Sequence, residues 1–392
     1  MIPLSRPPDV IWDVTYACPL RCTHCYSESG RRASRQLRHE EMLRVADALI
    51  SLRPSSVQLS GGEPMLVKGL VQLAERFQQA GISVALYTSG WLMTPEIVPE
   101  LFRVFSQIHV SVDGATARVH EAIRGRVGGF ERAMRALTLL DAAAREERER
   151  TGRSVTFGVD CVVVRSNLHQ LEAFCTDLVP RFPELKFLFF GVAIPSGLAS
   201  RQGFAERELL TEEQRQRLMN PDFVGHLRSL VPPSVRIRVS DGMALQMHPE
   251  HLARGRAARY SMQVEPDGAV RGMAIYEGTV GSLLEEPAQV LWERVLARPH
   301  DPFVAETLSP VRTRQEWAEA VRRIDYHFGT EEVRARIDRR PEFPTPRPPI
   351  TVLEPAVDWA KTSELPSVEP EHPALEASGL ESKLELERPS LT

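Results

Sequence analysis

Cys18-Pro19-Leu20-Arg21-Cys22-Thr23-His24-Cys25 puts three of the chain's five cysteines within eight residues, spaced C-x3-C-x2-C. Just before it, Val10-Ile11-Trp12-Asp13-Val14-Thr15 reads as a strand of β-branched and aromatic residues, so the cysteines ride the loop that leaves a strand. Two chemistries compete for such a cluster. Zinc prefers four nitrogen or sulfur ligands in a closed tetrahedron, usually from two paired motifs. Cys161 and Cys175 are isolated and make no second pair, which leaves His24 as the one nearby fourth ligand. An iron–sulfur cube takes four thiolates. Three thiolates leave one iron open, and an open metal position marks catalysis rather than a structural staple.

Further along lie Gly61-Gly62-Glu63-Pro64, Thr88-Ser89-Gly90 and Ser111-Val112-Asp113-Gly114, each closing a segment that reads as a strand. Together with the cysteines, in this order and at βα spacing, these motifs resemble the radical S-adenosylmethionine (SAM) superfamily over roughly residues 8–200. The resemblance implies a partial (β/α)6 barrel, one [4Fe–4S] cluster on Cys18, Cys22 and Cys25, and SAM on the open iron. It also implies a low-potential electron donor such as flavodoxin or ferredoxin. Reductive cleavage of SAM would give a 5′-deoxyadenosyl radical that takes hydrogen from a substrate.

The periodicity agrees with that architecture. Strands are expected at 57–60, 83–87, 107–112, 155–164 and 185–192. Helices are expected at 40–52, 70–80, 96–102 (opened by Thr94-Pro95 and kept short by Pro99), 130–150 and 168–178. Strands alternating with helices imply a parallel sheet, whose chemistry gathers at the carboxyl ends of its strands.

Candidate SAM-binding residues follow from the resemblance. Gly61 and Gly62 let backbone approach a ligand, and Glu63 braces their turn. Ser89, Ser111 and Asp113 suit ribose hydroxyls or the methionyl end, or else cap turns. Arg124 offers a fork for the SAM carboxylate, against an ordinary surface arginine. Asn167 lies where the family has an asparagine near SAM, against a plain helix N-cap. His24 stands where an aromatic often meets adenine, against an exposed loop histidine. Asp160, a charge inside Val159-Asp160-Cys161-Val162, is the candidate catalytic residue if it faces the barrel lumen, and a contact residue if it faces outward.

Residues 205–340 have a different texture, with an expected hairpin at Asp267-Gly268 and helices at 287–297 and 314–326. They resemble the SPASM-type extension of many superfamily members. Met273, however, stands where that pattern has a cysteine, and no cysteine follows Cys175, so auxiliary clusters are not expected. Residues 341–392 hold 10 of the 30 prolines and carry a net charge of −6, reading as a disordered tail. Domains are therefore expected at 1–204, 205–340 and 341–392.

The 392 residues are 42% hydrophobic with a net charge of −4, enough for a sizeable core and without a general basic field for nucleic acid. Neither a signal peptide nor a membrane span is visible, and clustered cysteines suit a reducing, cytoplasmic compartment. The substrate expected is a peptide or a natural product. The competing function is a non-catalytic iron–sulfur binding or scaffold protein.

Overall fold

A computed structural model describes residues 7–33, 35–254 and 260–343, which fall in one compact unit. Ten strands form one sheet in the order β10-β9-β8-β1-β2-β3-β4-β5-β6-β7. These are β1 Asp9–Thr15, β2 Ser56–Gly61, β3 Ser83–Thr88, β4 Gln107–Ser111, β5 Phe157–Val163, β6 Phe187–Val192, β7 Arg236–Ser240, β8 Ser261–Val264, β9 Ala269–Arg271 and β10 Thr279–Ser282. From β8 through β1 to β7 all neighbours run parallel. Only the β8–β9 and β9–β10 pairs are antiparallel.

The two-residue period sorts the side chains. Val10, Trp12, Val57, Leu59, Val84, Leu86, Ile108, Val110, Val159 and Cys161 face a core shared with the helices. Those helices are α1 His39–Ser51, α2 Leu70–Gln79, α3 Val98–Val104, α4 Ala117–Arg124 and α5 Gly129–Thr151. The alternate positions, Asp13, Tyr87, His109, Ser111 and Asp160 among them, therefore point to the inner face. Asp160 is thus a lumen residue.

Several local expectations need correction. Helix α3 begins at Val98 rather than Glu96, and Pro99 lies in its first turn, where a missing N–H costs nothing, so it does not cut the helix short. Helix α4 was not anticipated, because only one turn of apolar residues marks it. Residues 168–181 are not one helix but successive 3-10, α and π turns. Strand β7 was also missed, although Arg236-Ile237-Arg238-Val239 alternates polar and apolar. The hairpin Ser261–Arg271 does form, but β8 pairs with β1, so it continues the barrel sheet. Pro341 to Phe343, assigned to the tail, dock on the folded unit: Arg201 donates to the Pro341 carbonyl, and the Phe343 ring meets Phe204 edge-on at 5.1 Å. The rest of the expected disordered tail, 344–392, lies outside the described residues. No helix among the described residues is long and apolar enough to cross a membrane.

Candidate active site

The cysteine loop leaves β1 at the carboxyl edge of the sheet and is stitched to the end of α4. Arg21 N–H donates to the Arg124 carbonyl at 3.0 Å, and Thr23 N–H to the Ile123 carbonyl at 2.8 Å. Cys22 is buried, while Cys18 and Cys25 are half-buried. Burial, with neighbouring thiols adding repulsion, pushes the Cys18 thiol up to about 12 and Cys22 up to about 11. Such thiols stay charged only when a cation meets them.

No three His, Cys, Asp or Glu side chains among the described residues are gathered to hold a single metal ion. A lone zinc would require that convergence, whereas three thiolates that each ligate a different iron of a cube do not. The one residue available to complete a zinc site is also spent: His24 Nε2 lies 2.8 Å from Asp113 Oδ2. The donor set therefore fits a three-cornered cluster. Its residues would be Cys18, Cys22 and Cys25.

Glu63 is fully buried and joins the ends of β2 and β3. It accepts hydrogen bonds from Thr88 Oγ1 at 2.7 Å, from Ser89 N–H at 2.8 Å and from the Ser89 hydroxyl. Glu63 and Ser89 are thus partners of each other. The glycines before Glu63 are needed for a different reason than ligand approach alone. A Cβ on Gly61 would sit 2.4 Å from the Thr15 carbonyl oxygen, and one on Gly62 would sit 2.1 Å from that of Ala17. Gly61 also holds φ at +119°. The two glycines let β2 close against the strand that feeds the cysteine loop.

Asp113 is the hub of the site. Its carboxylate meets His24, lies 2.6 Å from Arg124 Nε, and accepts the Val162 N–H at 2.8 Å. Burial opposes the charge, but the Arg124 guanidinium and His24 overcome it and hold the carboxyl well below the ordinary carboxylate range. Arg124 is buried, not a surface arginine, and its other arm lies 3.8 Å from Cys22 Sγ. Asn167 does not cap a helix. Its amide donates to the carbonyls of Asp113 and Val162, both at 2.9 Å, and its oxygen accepts the Val164 N–H. Cysteine loop, β4 turn and β5 end are thereby locked together through His24, Asp113, Arg124 and Asn167.

On the inner face, Asp160 pairs in register with Ser111. Its Oδ2 lies 3.4 Å from His109 Nδ1, which makes no hydrogen bond. The His109 ring stacks on Tyr87 at 4.1 Å and tilts against Phe187 at 4.6 Å. His109 was not anticipated, although a histidine inside an apolar strand carries the same signal as Asp160. Asp13, also missed, is buried beside the loop; Tyr26 O–H donates to it, and Gln263 donates at 3.0 Å. Burial pushes its carboxyl up.

A parallel sheet whose carboxyl edge carries a three-cysteine loop and a glycine-rich turn is the architecture that the motif resemblance implies. The sequence profile of the radical SAM superfamily matches residues 12–157, so this part of the chain is similar to a radical SAM domain, a domain whose cofactors are a [4Fe–4S] cluster and SAM. Among curated relatives, mycofactocin maturase MftC of Mycolicibacterium smegmatis is 33% identical over 172 residues, covering 44% of this chain and 41% of that one. AdoMet-dependent heme synthase of Methanosarcina barkeri is 32% identical over 174 residues, covering 44% of this chain and 47% of its own. The chain thus spans less than half the length of these relatives. Among solved structures, SuiB of Streptococcus suis bound to the precursor peptide SuiA has a TM-score of 0.55 over 79% of this chain and 68% of that one. At 11% identity this likeness is one of fold.

Proposed function

We propose that the chain is a peptide-modifying radical SAM enzyme with a single cluster, working in a reducing cytoplasm. The observation that carries this reading is the cysteine loop at the carboxyl edge of the parallel sheet, opening toward an inner face lined with polar and aromatic side chains. When bound, the cluster and SAM supply a 5′-deoxyadenosyl radical that takes a hydrogen atom from the substrate.

The protein's own residues do the positioning. Cys18, Cys22 and Cys25 hold the cluster. Asp113 anchors Arg124 and His24 beneath the loop, so that Cys22 keeps its place when the charge above it changes. Glu63 and Ser89 fix the turn of Gly61 and Gly62, whose carbonyls suit the ammonium end of SAM. Ser111, next to Asp160 on the inner face, suits a ribose hydroxyl. Asp160 and His109, set among Tyr87 and Phe187, receive the substrate and exclude water from the reacting carbon. Residues 1–204 form the catalytic unit in this reading, and residues 205–340 an extension without auxiliary cluster. A peptide substrate is favoured because relatives and fold neighbours include maturases and a peptide-bound enzyme.

The test is anaerobic reconstitution with iron and sulfide, followed by reduction with dithionite in the presence of SAM. Wild type should bind about four irons and release 5′-deoxyadenosine, and the Cys18→Ala/Cys22→Ala/Cys25→Ala variant should do neither. Full iron loading without 5′-deoxyadenosine would favour the non-catalytic iron–sulfur protein instead.

A further inference from the structure

Six consecutive backbone carbonyls of the cysteine loop each accept a hydrogen bond from an arginine. Arg21 donates to those of Cys18 at 2.9 Å and Leu20 at 2.7 Å. Arg126 donates to Pro19 at 3.2 Å. Arg31 donates to Arg21 at 2.6 Å and Cys22 at 3.4 Å. Arg201 donates to Thr23 at 2.7 Å. Carbonyl acceptors satisfy donors without cancelling charge, so the collar keeps its positive field.

Arg21, Arg31 and Arg126 are exposed, as is Arg132, which shares the Trp91 indole with Arg126 at 5.3 Å and 4.9 Å. None of these four forms an ion pair among the described residues. Exposed arginines elsewhere behave differently: Arg76, Arg103 and Arg148 each sit on a carboxylate. Beside the collar, Val127 is 87% exposed, an apolar contact at the tip of the loop between α4 and α5. Like charges are also crowded at the rim. Burial, with Arg31 and Arg340 adding repulsion, pulls Arg201 down to about 10.

A field of this kind steers a negatively charged partner. We propose that the collar of Arg21, Arg31, Arg126 and Arg132, with Trp91 and Val127, is the docking face for an acidic one-electron carrier protein. This rests on the cluster reading above, which places the electron acceptor directly beneath the arginines. One electron leaves the reduced carrier and enters the cluster; no bond forms or breaks and no proton moves. Nucleic acid has the same charge but nothing to deliver to buried thiols.

The test has two arms, both with flavodoxin as the probe. In the first, binding of flavodoxin to the cluster-free full-length protein is followed by fluorescence anisotropy. In the second, stopped-flow absorbance follows reduction of the reconstituted cluster by flavodoxin hydroquinone, with dithionite as a small reductant for comparison. Arg126→Glu/Arg132→Glu should weaken binding and slow reduction by roughly tenfold or more at about 50 mM salt, with the gap closing at about 0.5 M. Reduction by dithionite should stay at the wild-type rate. Arg132→Glu alone, which touches no loop carbonyl, should show a smaller loss in the same direction and guards against a distorted loop. Equal flavodoxin affinities for wild type and double variant at low salt would overturn the proposal, as would tighter binding of a DNA duplex than of flavodoxin. A protein that takes up no iron overturns the cluster reading alone, because the binding arm needs no cluster.

Discussion

Asp113 and Arg124 are the pair on which the site's rigidity rests, and removing either should reveal it. Arg124 lies buried with its Nε 2.6 Å from Asp113 Oδ2 and the Cys22 sulfur 3.8 Å from its other arm. Asp113→Asn keeps the shape but strands the guanidinium without a counter-charge. Breaking one partner of a buried ion pair costs about 3–5 kcal/mol. Arg124→Met leaves the carboxylate with His24 and the Val162 N–H, so its cost should be smaller, about 2–3 kcal/mol. In the double variant no buried charge is stranded by its partner's loss, so its cost should fall short of the sum by about 2 kcal/mol or more. The assay is urea denaturation of the cluster-free protein at pH 7.5, followed by circular dichroism and analysed as a double-mutant cycle. Asp113 is ionised throughout the working range because its carboxyl is held low. The stability it contributes is complete above the ordinary carboxylate value and is lost only as pH falls through its depressed one. Additive single and double effects, or an Asp113→Asn cost under about 1 kcal/mol, would refute the hub argument.

Three further outcomes are expected. Asp160→Asn should leave iron content and substrate-free 5′-deoxyadenosine release unchanged while lowering modification of the substrate by about tenfold or more; loss of iron would mean that the residue acts on the loop instead. Burial and the adjacent Glu277 carboxylate push the Asp325 carboxyl up to about 7. The folded state therefore holds a proton that the unfolded chain releases near pH 4, and stability should fall as pH rises from about 4 to 7. Asp325→Asn should flatten that slope, and an unchanged slope in urea titrations would exclude Asp325 as its source. A chain ending at Arg340 should be less stable than one ending at Phe343 by about 1–2 kcal/mol, since it loses the Phe204 contact and the cation faces of Arg201 and Arg207; equal urea midpoints would rule out this docking.

The barrel was legible because its signals are local. Each strand carries its own apolar alternation and each turn its own glycine, so order and direction follow without long-range information. The alternation even decides the side on which Asp160 lies, once Val159 and Cys161 are recognised as core. The partners of each polar residue were not legible. Asp113, Arg124 and Asn167 were read as SAM candidates from the resemblance, against a turn cap, a surface arginine and a helix N-cap, and nothing near them in sequence shows that they also bond one another, Asn167 reaching Asp113 across 54 residues of chain. The collar was hidden for the same reason. Arg126 reaches Pro19 across 107 residues and Arg201 reaches Thr23 across 178, so nothing near the cysteines announces them. The extension makes the point in reverse. Met273 in place of a cysteine is visible in the sequence, but what occupies the neighbourhood is not. Fully buried Arg271 pairs with Glu265 at 3.0 Å and lies 3.6 Å from Glu277, while Arg336 reaches Glu277 at 2.7 Å from the last helix. Buried charges in such numbers hold together only as a set, since loss of one leaves its partners uncompensated. An ionic network therefore ties the hairpin that continues the sheet to the chain's final described helix, and the fold's integrity there rests on charge where the resembled pattern has thiolates.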